Sequence, residues 1–301
     1  MKADMPWLKP VAQQWLQQRK QGRLGHALIV QGPSGVGKGR LADWIVEQLL
    51  CESGRGCGLC KGCQLLAAGH HPDRYDLAPE GQQIKVDSVR TLISQLAGTS
   101  HQGGARVAVL NQAQRLNQAS ANALLKTLEE PPAGVYLILV VGPGQPLLPT
   151  IVSRCQRLVV PMPTAEQIQH YLGADGVPLA QWPYWPRVLG GPMALKEAID
   201  AGQLERLSGL LEAWRRSLAA GLLDAKLSQV DGESAATVLK LLYFELLSQC
   251  EEKSERMAWC YPVMKQVAQT QRWLDRQSGI NLTAVFQQLI AEYRRHALEG
   301  E

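Results

Sequence analysis

Two short stretches carry residue types at spacings that do chemistry. The first is GPSGVGKG, residues 32–39, whose glycines let successive backbone N–H groups turn toward a phosphate. Gly32, Gly35, Gly37 and Lys38 are the candidate nucleotide-binding residues, with Lys38 placed to reach the terminal phosphates. A working loop of this kind ends Lys-Ser or Lys-Thr, because that hydroxyl ligates the magnesium beside the phosphates. Gly39 stands at that position and offers no oxygen. Hydrolysis also needs an acid, commonly Asp-Glu, at the end of a later buried strand to hold magnesium and help polarise water. The apolar run RVAVL, residues 106–110, ends instead in Asn111-Gln112, the neutral amides of that pair. ATP and magnesium binding is therefore expected to be weak or absent, and no intrinsic ATPase is expected.

The second stretch is CESGRGCGLCKGC. Cys57, Cys60 and Cys63 form two overlapping C-x2-C knuckles, and Cys51 precedes them by six positions. Four thiols within 13 residues, separated by glycines that permit tight turns, suit a tetrahedral structural zinc with every position filled by protein. A disulfide pair and a redox-active C-x-x-C are the competing readings; a redox motif would leave two cysteines unexplained. His70 and His71 follow closely and read as surface or turn residues. Cys250 and Cys260 read as ordinary buried cysteines.

These residues need elements to hold them. An apolar run, Ala27 to Val30, leads into the glycine loop, and an amphipathic helix runs from about Lys38 to Leu50. RVAVL and VYLILVV (135–141) read as further buried strands. NQASANALLKTLEEPP between them reads as a helix stopped by Pro131 and Pro132. Strands alternating with helices predict a parallel sheet covered on both faces, an α/β fold. After about Pro163 only helical periodicity remains, broken by turns such as LGADGVP and LGGPM.

The 301 residues allow two or three domains. With 46% hydrophobic and 19% charged residues, the chain builds sizeable cores rather than a disordered tail. A net charge of +4 is too mild to argue for nucleic acid by itself. No apolar run approaches the ~18 residues that span a bilayer, and the segment MKADMPWLKP lacks the apolar core of a signal peptide. A cytoplasmic protein with no membrane partner is expected.

GRLGHALIVQGPSGVGKG, CGLCKGCQLLAAGHHPD, IKVDSVRTL, SANALLKTLEEPP and IVSRC stand in an order that resembles the clamp-loader subunits of bacterial DNA polymerase III, within the AAA+ class. The likeness covers about the first half of the chain and is looser later, chiefly at SGINLTAVFQQLI. It implies a P-loop-type AAA+ domain over 1–163 with the zinc module at 51–63, a small helical lid over 164–203, and a helical collar for oligomerisation over 204–301. The family's motor subunits keep Lys-Thr or Lys-Ser and Asp-Glu; this chain departs at both. The family's usual polar sensor and lid arginine are likewise replaced, by Val140-Val141-Gly142 and by Gly190-Gly191-Pro192-Met193. Ser153-Arg154-Cys155 is intact, and the resemblance implies that Arg154 acts in trans as an arginine finger at a neighbour's ATP site. An ordinary surface ion pair is the alternative for Arg154. The implied role is the family's non-hydrolysing ring member, a non-catalytic component of the polymerase III holoenzyme. Its implied partners are the gamma/tau motor subunits and the delta subunit, with the sliding clamp met indirectly and primer-template DNA met through the assembled complex. An active AAA+ motor with variant motifs and a zinc-dependent nucleic-acid-binding module remain as alternative functions; the latter lacks interleaved aromatics or a dense basic run.

Overall fold

A computed structural model describes residues 5–144, 146–173, 179, 182–274 and 280–299. The expected turn LGADGVP lies largely outside the described residues, as do the first two residues of SGINLTAVFQQLI. Contacts divide the chain into two compact units, 1–173 and 174–301.

The first unit is built on five strands: β1 (Ala27–Gln31), β2 (Arg74–Leu77), β3 (Arg106–Leu110), β4 (Val135–Val141) and β5 (Gln156–Val159). All pair in parallel, in the order β2-β3-β4-β1-β5. Parallel strands need crossovers, and helices supply them: α1 (Lys9–Lys20) before β1, α2 (Lys38–Leu50) and α3 (Lys61–Ala67) after it. Then follow α4 (Val86–Ala97), α5 (Gln118–Glu129), the short α6 (Pro149–Val152) and α7 (Ala165–Leu172).

Alternation along each strand sends neighbouring side chains to opposite faces, and here both faces are buried. Leu28, Val30, Val107, Val109, Ile138 and Val140 pack with Trp15, Leu41 and Ile45 of α1 and α2. Ala27, Ile29, Ala108, Leu110, Leu137 and Leu139 pack with Val89, Leu92, Ala121 and Leu124 of α4 and α5. That is why these strands read as unbroken apolar runs. The short strands RYDL and QRLV are each half polar and give no such signal; they are strands because β3 and β1 offer them edges.

The second unit is helical: α8 (Trp185–Leu189), α9 (Pro192–Asp200), α10 (Leu204–Ala220), α11 (Ala225–Ser228), α12 (Gly232–Glu252), α13 (Met257–Leu274) and α14 (Leu282–Glu299). Its core centres on Trp214, whose indole meets Phe286 edge-on at 5.1 Å and donates to the Val238 carbonyl at 3.0 Å. Cys250 and Cys260 are buried, as expected. The α/β sheet with its inserted cysteine module, followed by helices, is the fold class that the sequence implied. Among the described residues no helix is long and apolar enough to cross a membrane.

Candidate functional site

The glycine loop follows β1 and opens α2, and its first glycine is fixed by packing. A Cβ on Gly32 would sit 2.4 Å from the Val160 carbonyl oxygen, on a segment that Val160 N ties to Gln31 O at 2.8 Å. Gly37 has φ +86°, a left-handed backbone that only glycine adopts cheaply, and is covered by Met5 and Leu8. Trp7 Nε1 donates to the Val36 carbonyl at 2.8 Å, a buried bond that staples the segment before α1 to the loop. The Lys38 ammonium turns back to donate to the Pro33 carbonyl within the same loop, and partial burial lowers its pKa. Gly39 is exposed, and a Cβ there would meet nothing within 4 Å.

Beyond β3, Asn111 N continues the ladder by donating to Leu77 O at 2.8 Å. Gln112 then turns left-handed, at φ 52°. Gln114 Oε1 accepts from Gly142 N at 3.0 Å, tying this segment to the end of β4. The end of β3 thus carries the amides Asn111 and Gln112 in place of the expected acid pair, and the end of β4 runs into Gly142.

The four cysteines come together. Cys51 caps the end of α2 and Cys60 precedes α3, which carries Cys63, while Cys57 lies in the turn between. Their Sγ atoms all lie within 4.8 Å of one another; Cys51–Cys57 is 3.6 Å and Cys51–Cys60 is 3.9 Å. Four sulfurs at ~2.3 Å from a tetrahedral zinc stand ~3.8 Å apart, so the spacing fits the metal. It does not fit a disulfide, whose sulfurs are ~2.05 Å apart. Cys57 N donates to Cys51 Sγ at 3.3 Å and Cys60 N to Cys57 Sγ at 3.4 Å, bonds that favour thiolates. Burial raises the Cys51 thiol, but Ser53 and the N–H groups of Cys57 and Arg55 outweigh it and bring it down to about 5. Burial pushes Cys63 up to about 12, offset in part by Gly58 N–H and reinforced by the thiols beside it. Cys51 thus ionises more readily than Cys63 beside it. The module is anchored by Arg19, whose Nη1 donates to the carbonyls of Gln48 and Gly54, each at 2.9 Å.

His70 is exposed as expected, but His71 is not a surface residue: it is 6% exposed. Its Nδ1 accepts from Asp73 N at 3.1 Å. The fully buried Asp73 carboxylate in turn accepts from Ser100 Oγ and from the N–H groups of His101 and Gln102. Asp73 organises the loop before β3, and that draws His71 inward. A histidine doublet beside a cysteine cluster carries no signal of which ring is buried.

Arg154 closes the turn between α6 and β5. Its Nε donates to Glu129 Oε1 at 2.8 Å, and Nη2 meets the same oxygen at 2.6 Å. Nη1 donates to the Thr150 carbonyl at 2.9 Å and to Ser153 Oγ at 3.2 Å. The side chain is 36% exposed, and Glu129 49%. In the single chain, then, Arg154 is in a surface ion pair.

The family described as "DNA polymerase III, delta subunit" matches residues 7–164, over half of the chain. A protein of Yersinia pestis named DNA polymerase III subunit delta' is 34% identical over 254 residues, covering 80% of this chain and 75% of its own. This chain belongs to the DNA polymerase III delta' family. The delta' subunit of Pseudomonas aeruginosa is 42% identical over 165 residues, 53% of this chain and 49% of that protein. The match thus spans about half the length of that relative, and equally of the one from Escherichia coli. Among solved structures, a gamma subunit-related protein of DNA polymerase III from Thermotoga maritima shares the fold, with TM-score 0.52 and 20% identity over 93% of this chain and 98% of its own.

Proposed function

We propose that this chain is the non-hydrolysing partner in a bacterial clamp-loader ring, where it supplies Arg154 to the ATP site of a neighbouring motor subunit. The ring would load a sliding clamp on primed DNA during replication. The observation that carries the reading is the polarity of the sheet. The glycine loop follows the carboxyl end of β1, whereas Arg154 precedes the amino end of β5, and the two strands run parallel with Leu28 opposite Gln156. At ~3.3 Å per strand residue, the four residues from Leu28 to Gly32 put about 13 Å between those two ends. Arg154 therefore sits at the far end of the sheet from its own chain's loop, which supports action on another subunit's nucleotide. Gly39, Asn111 and Gln112 leave that loop without side-chain magnesium ligands, which supports the absence of turnover in cis.

In this reading residues 1–163 form the AAA+ domain, 164–203 the lid and 204–301 the collar. Zinc on Cys51, Cys57, Cys60 and Cys63 is structural: bound, it would lock the chain between α2 and α3. The partners are gamma/tau motor subunits and a delta subunit, in the cytoplasm. Arg154→Ala in an otherwise intact complex should leave assembly unchanged and lower DNA-stimulated ATPase and clamp loading. An arginine finger is worth roughly 10³–10⁵ in isolated nucleotidases, diluted here by the other arginines of a ring. Arg154→Lys should rescue poorly, since an ammonium lacks the guanidinium's fork. An assembled Arg154→Ala complex with unaltered ATPase and loading would remove the trans role.

A further inference from the structure

Every nitrogen of the Arg154 guanidinium is engaged inside its own chain: Nε and Nη2 by Glu129, Nη1 by Thr150 and Ser153. A guanidinium that grips a phosphate presents two adjacent N–H groups to it. No such pair remains while Glu129 holds the Nε–Nη2 edge. Glu129 is also an odd place for an acid. It is the last residue of α5, where the helix dipole disfavours negative charge. The position is held on both sides, because His26 Nε2 bonds the Leu128 carbonyl at 2.8 Å and, after Glu130, Pro131-Pro132 follow.

We propose that Glu129 is a positioning residue that keeps Arg154 withdrawn and competes for it with the terminal phosphate of a neighbour's nucleoside triphosphate. The inference rests on the trans role proposed above. Engagement is then an exchange of anions: the guanidinium leaves a carboxylate for a phosphate oxygen, and Glu129 is released to water. The partly exposed pair is weak enough for this, since such pairs shift an equilibrium by at most about five-fold. Glu129 would thus set how much ATP the ring needs before the finger closes, without touching the nucleotide itself.

The test uses the assembled clamp-loader complex carrying Glu129→Gln, Arg154→Ala, or both, with ATPase measured against ATP concentration with and without primed DNA. Glu129→Gln keeps the side chain's size and removes its charge, and thermal unfolding of the variant checks that the fold is retained. The expected result is a KM for ATP lowered about two- to five-fold, a similar rise in DNA-independent ATPase, and a DNA-stimulated kcat near that of the unaltered complex. In the Arg154→Ala background the same substitution should do nothing. If Glu129→Gln leaves KM and basal rate unchanged while Arg154→Ala slows the complex, the competition is wrong and the trans role stands. If Glu129→Gln lowers kcat as Arg154→Ala does, Glu129 props the finger rather than restraining it, and the proposal is overturned. If Arg154→Ala itself has no effect, the trans role fails and the proposal falls with it.

Discussion

Glycines in a phosphate loop are usually credited to phosphate, and the packing here predicts otherwise. Consider Gly32→Ala beside Gly39→Thr. The Cβ added at position 32 would stand 2.4 Å from Val160 O and 3.3 Å from Val160 C, both backbone atoms. The carbonyl has little room to swing aside, because Val160 N is tied to Gln31 O and Pro161, which follows, confines the Val160 backbone to extended geometry. Overpacking against immobile neighbours costs typically 1–3 kcal/mol, and a pinned backbone puts this case near the top, about 3 kcal/mol. For a unit of this size each kcal/mol moves Tm by roughly 2–4 °C, so the first unit should unfold about 6–12 °C lower. At position 39 the new side chain meets nothing within 4 Å, and replacing glycine in a first helical turn gains a few tenths of a kcal/mol in helix propensity. Gly39→Thr should therefore unfold no lower than the parent. It should also bind a fluorescent ADP analogue more tightly when magnesium is present, yet hydrolyse no ATP, because Asn111 and Gln112 remain. Calorimetry and a nucleotide titration read both outcomes. Equal thermal stability of the parent and Gly32→Ala would refute the packing argument, and ATP turnover by Gly39→Thr alone would refute the one about the amides.

Other outcomes follow from single contacts. Protein purified without chelator should hold one zinc per chain by elemental analysis; Cys60→Ser or a strong chelator should lower both the metal content and the unfolding temperature of the first unit, and full stability without metal would count against a structural site. Trp7→Phe leaves the buried Val36 carbonyl unpaired and should cost about 1–3 kcal/mol in a denaturant titration, an expectation that fails if the midpoint does not move. A chain ending at Gly202 should be excluded from the complex in size-exclusion chromatography, and its entry with undiminished affinity would deny the helical region its assembly role.

How much of this was legible depended on what each residue answers to. The buried strands VYLILVV and RVAVL announced themselves because burial on both faces calls for a nearly continuous apolar run, and α2 and α5 because one face must repeat with the helical period. The cysteine cluster was legible because metal geometry constrains sequence spacing over 13 residues, a local rule. The short strands β2 and β5 were not, since four-residue edge strands of mixed polarity owe their conformation to the neighbour that pairs with them.

Polar side chains lie at the far end of that scale, because their meaning is fixed by groups distant in sequence. The buried Asp73 carboxylate is satisfied by donors from residues 100–102, and His71 is buried beside it. Arg154 shows the same dependence with more at stake for function. Its triplet suggested a finger, and its partner Glu129 lies 25 residues away inside SANALLKTLEEPP, a segment whose acids had no assigned task. The surface ion pair and the finger had stood as rival accounts of one arginine. The geometry allows both in sequence, because a pair this exposed costs so little to break that a phosphate of higher charge can displace the carboxylate. What distinguishes a structural pair from a waiting one is therefore the response of the assembled ring when the carboxylate alone loses its charge.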